Sequence, residues 1–232
     1  VPSLLCVAAA GIAVSSWYSR QTEIQPVRLK WADLSAEVRD LLKLGLVFMA
    51  SGFMAMGVAY LVRIIVLRRM GEDAAGFYQS AWTLGGLYVG FILQAMGADF
   101  FPRLTVVAQD NRQCNRLVNE QAEVGLLLAG PGILGTLTFA PLVIQVFYSA
   151  KFGPAVEILR WICLGMVLRV ASWPMSYILL AKGARQAYFW SELASNVIMI
   201  GLVWVCVLRF GLKGTGIAFF GCYVLYWLMI YA

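Results

Sequence analysis

The sequence has no histidine, and only 13% of its 232 residues are charged. Without imidazole there is no Ser-His or Cys-His pair and no histidine metal site, so the commonest hydrolase and zinc chemistries are excluded. Five cysteines are present, Cys6, Cys114, Cys163, Cys206 and Cys222, with no CxxC spacing. Four of them fall within apolar runs, where cysteine acts as a small packing residue. No GxxxxGK[ST] segment occurs, which argues against ATP hydrolysis. The reading is of a protein that is not an enzyme, with no catalytic group, metal or cofactor.

Apolar residues are what the sequence has in excess, at 61% hydrophobic and a mean hydropathy of +0.78. A soluble domain of this length needs far more surface charge, so the implied solvent is the bilayer. Crossing roughly 30 Å of hydrocarbon takes about 20 helical residues. Runs of that kind lie near 44–67, 77–101, 124–148, 155–181, 189–209 and 214–232. The alternation of a membrane barrel strand is missing, so the expected fold is an all-α, polytopic transmembrane helical bundle of about six to seven spans. Residues 1–17 read as the end of a preceding transmembrane helix, leaving the membrane at Trp17, Tyr18 and Arg20. Because it starts at Val1 and stops at Ala232 without a polar flank, the sequence reads as a piece of a longer protein.

The net charge of +6 reflects membrane anchoring here, and no nucleic acid is expected as a partner. Arg20, Arg28, Lys30, Arg39, Lys43, Arg103, Arg112, Arg116, Lys182 and Arg185 fall on one side, against Arg68, Arg69, Lys151, Arg209 and Lys213 on the other. This excess places the connections around 18–43, 99–123 and 182–188 in the cytoplasm. The stretch "GADFFPRLT" reads as a helix leaving the membrane, with Pro102 ending it and Phe100, Phe101 and Arg103 at headgroup level. The polar "QDNRQCNRLVNEQAEVG" that follows reads as a short cytoplasmic amphipathic helix feeding the next span.

Ionisable groups inside spans are the candidate functional residues, because a charge there costs from about 3 kcal/mol upward and faces protein or water. Arg169 sits mid-span, where it either lines a polar cavity or has a buried partner. Arg160 is three residues from Glu157, so a rim ion pair competes with a functional role, and Arg63 is near enough to its span end to snorkel. Asp99 is placed to pair with Arg103, and Glu192 opens its apolar run, where a carboxylate suits the helix dipole. Either acid is a possible coupling or ion-pair residue. Pro131, Pro141 and Pro174 are candidate hinges or kinks. Gly86 and Gly90 form a GxxxG pair suited to close helix packing. "RMGEDAAG" (69–76) and "RFGLKGTG" (209–216) share Arg, Gly and Gly at one offset, a faint internal repeat.

Four linked blocks, "AGFYQSAW", "GADFFPRLT", "RLVNEQAEVGLLLAGPGIL" and "FAPLVIQVFYSAKFGPAVEILRW", in this order and spacing resemble the Wzx-type O-antigen flippases. These form the polysaccharide transporter branch of the multidrug/oligosaccharidyl-lipid/polysaccharide exporter superfamily. The resemblance covers roughly residues 41–185. It implies one lobe of a bilobed helical exporter, with residues 18–43 as the cytoplasmic lobe connector and 44–232 as the C-terminal transmembrane lobe. It also implies a lipid-linked oligosaccharide substrate, membrane lipid contact, a bacterial inner-membrane location, and a polysaccharide polymerase and chain-length regulator as partners. Arg169, Arg160 and Arg63 would then supply a cationic, substrate-binding cavity, since guanidinium stays protonated and forks onto phosphate oxygens. Alternatives are a cation-coupled multidrug exporter of the same superfamily, or a polymerase or ligase of polysaccharide assembly.

Overall fold

The computed structural model describes residues 9–17 and 31–231. Residues 1–8 and 18–30, which hold the start of the expected preceding helix, the exit at Tyr18 and Arg20 and much of the expected connector, lie outside the described residues. The chain divides into two units, residues 1–43 and 44–232. In the first, helix α1 covers residues 9–17, and residues 31–43 are helical, forming the start of α2 (Trp31–Met70). The second unit continues α2 and adds α3 (Glu72–Val106), α4 (Asn111–Thr138), α5 (Ala140–Phe147), α6 (Ala155–Ala181), α7 (Arg185–Phe210) and α8 (Gly214–Tyr231). No strand occurs among the described residues, and the expected all-α membrane bundle is what forms.

Gly45–Met70, Glu72–Val106, Ala155–Ala181 and Gln186–Leu228 are long and apolar enough to cross a membrane, and α4 and α5, bent against each other, meet the same test only when taken together. The last stretch is itself two passes. In one straight helix, Ser195 and Cys222 would be about 40 Å apart at 1.5 Å per residue. Instead the Cys222 thiol lies 3.8 Å from the Ser195 carbonyl, so the chain reverses between α7 and α8. The reversal begins at Gly211, whose φ of 63° ends α7.

Helix ends have local causes. Gly71 (φ 89°) separates α2 from α3 and occupies the equivalent place in the faint repeat to Gly211. With ψ of −179° and −143°, both adopt backbone that is essentially confined to glycine. The two turns are also neighbours: a Cβ on Gly211 would meet Met70 Cε at 3.7 Å, and the Arg69 guanidinium lies 4.6 Å over the Trp204 ring. At the other end of the bundle, Asp110 caps α4 by accepting from the Arg112 and Gln113 backbone N–H groups at 2.9 and 3.1 Å. These bonds, the Gln113 backbone N–H first, hold its carboxyl below the ordinary value of 3.8.

Several boundaries differ from the sequence expectation. Pro102 does not end its helix, since α3 runs on to Val106. The polar stretch after it is no separate amphipathic helix; Asn111–Thr138 is one continuous helix. Among the candidate hinges, Pro131 and Pro174 lie inside unbroken α4 and α6, and only Pro141 marks a break. Pro141 occupies the first turn of α5, where its missing N–H costs nothing, and α5 leaves α4 at 85°. One residue along from the Leu127 carbonyl that Pro131 leaves without its helical donor, the Tyr88 hydroxyl donates to the Leu128 carbonyl at 2.8 Å.

Helix α6 is the centre of the packing. Ile158, Leu159, Ile162, Met166 and Val170 are buried along it, against α3, α4 and α8. Close approach to α3 comes through Gly85, where a Cβ would lie 2.6 Å from Ile162 Cγ2. The GxxxG pair plays little part: Gly90 has nothing within 4 Å, and a Cβ on Gly86 would only touch Met166 Cε at 3.7 Å. Small residues let the backbones approach here as they do in membrane bundles generally. A second buried cluster, Phe100, Leu104, Cys114 and Val118, closes one end. Phe100 is therefore core rather than a headgroup anchor, packing on Trp173 and Tyr177 at 6.0 and 6.2 Å between ring centres.

Candidate functional site

The second unit encloses a cavity of about 430 Å³, walled by α2, α6, α7 and α8 with the first turns of α3. Helix α6 contributes Arg169, Ser172, Trp173, Ser176 and Tyr177 at spacings of three and four, one stripe of the helix. Helix α7 contributes Tyr188, Glu192, Ser195 and Asn196, and α8 adds Phe219, Cys222, Tyr223 and Tyr226. The α2 wall is apolar apart from Ser51, while Tyr78 and Trp82 close the α3 side. Trp82 packs edge-on to Phe219 at 5.2 Å, and Trp173 lies 4.7 Å from Tyr177, so the aromatic walls hold one another in place.

Two charges of opposite sign face this space. Arg169 and Glu192 are both half-buried, and the charge of Arg169 acts on the Glu192 carboxylate. No ion pair within 4.0 Å joins them among the described residues, so each keeps valences for something between them. The neutral groups are partly committed. Ser172 Oγ donates to the Leu168 carbonyl and Ser176 Oγ to the Trp173 carbonyl, both at 2.8 Å, and Asn196 Nδ2 donates to the Glu192 backbone carbonyl at 2.8 Å. Their oxygens stay available as acceptors. Ser51 is buried at 8% exposure, and its hydroxyl interacts with the Tyr188 side chain across the cavity wall.

The structure brings only one of the three candidate arginines to the cavity. Arg63 and Arg160 are exposed and do not line it. Glu157 pairs across the bundle with Lys213 at 3.7 Å rather than with Arg160 three residues along. Asp99 pairs with Arg103 at 3.1 Å on the surface, away from the cavity. Glu192 does not sit in the dipole of its helix start, because α7 begins at Arg185 and has no acid in its first turn. Instead it supplies the cavity carboxylate that the sequence did not make evident. Pro174 lies on the cavity-lining helix, whereas Pro131 and Pro141 belong to α4 and α5, which do not line it. The serine, asparagine and tyrosine wall was missed, although the spacings 169, 172, 173, 176, 177 and 188, 192, 195, 196, 199 are a helical stripe readable in advance. No group of three or more His, Cys, Asp or Glu side chains able to hold a metal gathers among the described residues.

The fold is similar to that of a solved outward-facing multidrug resistance MATE family transporter of the MOP superfamily. The TM-score is 0.80 at 17% identity, covering 97% of this chain and 51% of that one. In sequence the chain is similar to the Lipid III flippases of Escherichia coli (strain K12) and Shigella flexneri, each 21% identical over 170 residues. The match takes in 73% of this chain and 41% of each flippase, so the chain spans less than half the length of these curated relatives. The sequence model of the polysaccharide biosynthesis protein family matches residues 7–157, well over half of the chain. This multi-pass helical membrane bundle, matched by that model over this length, belongs to the polysaccharide biosynthesis protein family.

Proposed function

We propose that the protein is a flippase that moves undecaprenyl-pyrophosphate-linked oligosaccharide, an O-antigen or related repeat unit for lipopolysaccharide assembly, across the bacterial inner membrane by alternating access. The observation that carries this reading is the cavity itself: an aromatic-lined space between membrane helices, with Arg169, Glu192, serines and an asparagine among its lining residues. A charge held there is costly and marks a path for polar cargo. The Lipid III flippase relatives support it as well. Expression of the full-length protein in a flippase-deficient bacterium should restore a surface polysaccharide ladder. Its absence with several glycan pathways, at normal membrane abundance, overturns the proposal. Orientation is checked in the same cells: a cysteine at Asn111 should label from the cytoplasmic side and one at Ser149 from outside.

One observation favours a second reading. Glu192 beside tyrosine and tryptophan rings is the kind of site that takes an organic cation, and the MATE-like fold is compatible with it. Export of cationic dyes by the protein, with no ladder, would select this multidrug exporter instead.

A further inference from the structure

A cavity in a translocator of lipid-linked sugars has two polar parts of cargo to accommodate, the pyrophosphate and the glycan, and their hydrogen-bond chemistry is opposite. Pyrophosphate offers acceptors and negative charge. A sugar ring offers hydroxyls, each of which both donates and accepts. The lining therefore discriminates between them.

Formal charge inside the cavity sums to zero, with Arg169 the cation and Glu192 the anion. A dianion there would meet one guanidinium and a carboxylate close by. The neutral groups both donate and accept: Ser172 and Ser176 have their hydroxyl donors engaged with helix carbonyls, Asn196 commits one of its two amide N–H groups, and Tyr177, Tyr223 and Tyr226, each with a hydroxyl that does both, line the same space. A mixed wall of this kind matches a ligand whose groups do both. An organic cation would satisfy Glu192 but would lie against Arg169.

Resting on the flippase reading, we propose that this cavity seats an uncharged sugar ring of the cargo. Its hydroxyls are shared between Arg169 as fixed donor and Glu192, Ser176 and Asn196 as acceptors, with the ring lying against the packed Trp173–Tyr177 pair. The pyrophosphate is held elsewhere. The Arg169 fork thus serves two neighbouring hydroxyls rather than two phosphate oxygens.

The test is calorimetric titration of the full-length protein in lipid nanodiscs with methyl glycosides of glucose, galactose and N-acetylglucosamine, inorganic pyrophosphate, and tetraphenylphosphonium. At least one glycoside should bind, and pyrophosphate should not compete with it. Glu192→Gln, which keeps shape but removes a charged acceptor, should weaken the glycoside about tenfold, the scale of one charge-assisted hydrogen bond. Ser176→Ala, which alters no charge, should weaken it a few-fold and guards against a folding defect in the first variant. Tighter pyrophosphate binding by Glu192→Gln, displacement of the glycoside by tetraphenylphosphonium, or no glycoside binding at all each overturns the assignment. A restored ladder without glycoside binding sinks the sugar seat and leaves the flippase reading standing. Glycoside binding without a ladder in any host does the reverse.

Discussion

The two halves of α6 are built on opposite plans. Its N-terminal half presents Ile158, Leu159, Ile162 and Met166 to α3 and α8, buried against glycines that bring other helices into contact. Its C-terminal half presents Arg169, Ser172 and Ser176 to the cavity. In a bilayer there is no hydrophobic force between helices, so the first half holds by dense van der Waals contact and small residues. The second half tolerates its polar stripe because the first fixes the helix. Ile158, Ile162, Met166, Arg169, Trp173 and Ser176 follow one another at helical spacing, so along this stripe depth, not position on the circumference, separates packed residues from cavity residues.

The strongest way to break this comparison is in the packed half. Gly216 of α8 sits where a Cβ would be 2.7 Å from Trp161 Cβ and 2.9 Å from the Ile158 backbone oxygen, so relief requires backbone movement. Gly216→Val should therefore cost about 1–3 kcal/mol or more and sharply reduce folded protein in the membrane. An unchanged thermal unfolding temperature in detergent would mean the seam is looser than described.

In the cavity-lining half the effect should be functional and smaller in stability. Arg169→Ala should leave membrane abundance near wild type, because no direct ion pair is broken, while the ladder divided by abundance falls by about tenfold or more. Arg169→Lys keeps the charge without the planar fork and should retain part of the signal. Loss of folded protein in proportion to the ladder would return Arg169 to a structural role.

The smallest effect belongs to the exposed end of α4. Asp110 has its carboxyl held below 3.8 by bonds made only in the folded helix, so its stabilisation is full above that value and is lost as pH falls through the lowered one. Asp110→Asn should flatten the acid limb of the unfolding curve and change little at neutral pH, as followed by circular dichroism. An acid limb identical to wild type would show that the cap contributes nothing.

The helices were legible because apolar runs of span length leave a bilayer protein few alternatives. Their boundaries were not, because Pro102 and Pro131 look like interruptions in sequence, yet both lie inside continuous helices, as membrane helices tolerate. Within the site, Arg169 stood out as a charge in an apolar run. Glu192 did not, since "RQAYFWSE" imitates the polar approach to a helix that in fact starts at Arg185. The serines and tyrosines were hidden by being individually unremarkable, and only their common periodicity across three helices marks the wall.

Gly71 and Gly211 carry a consequence for how this protein can vary. A Cβ at Gly71 would meet nothing within 4 Å, and one at Gly211 only the flexible end of Met70. Judged by space alone, both positions have room for a Cβ. Judged by backbone torsion they are closed, because every L-residue pays on the order of 1–3 kcal/mol in that conformation. Substitution there is thus strained for a reason that no map of crowding or exposure records. The two turns where α2 and α7 end are intolerant through torsion alone.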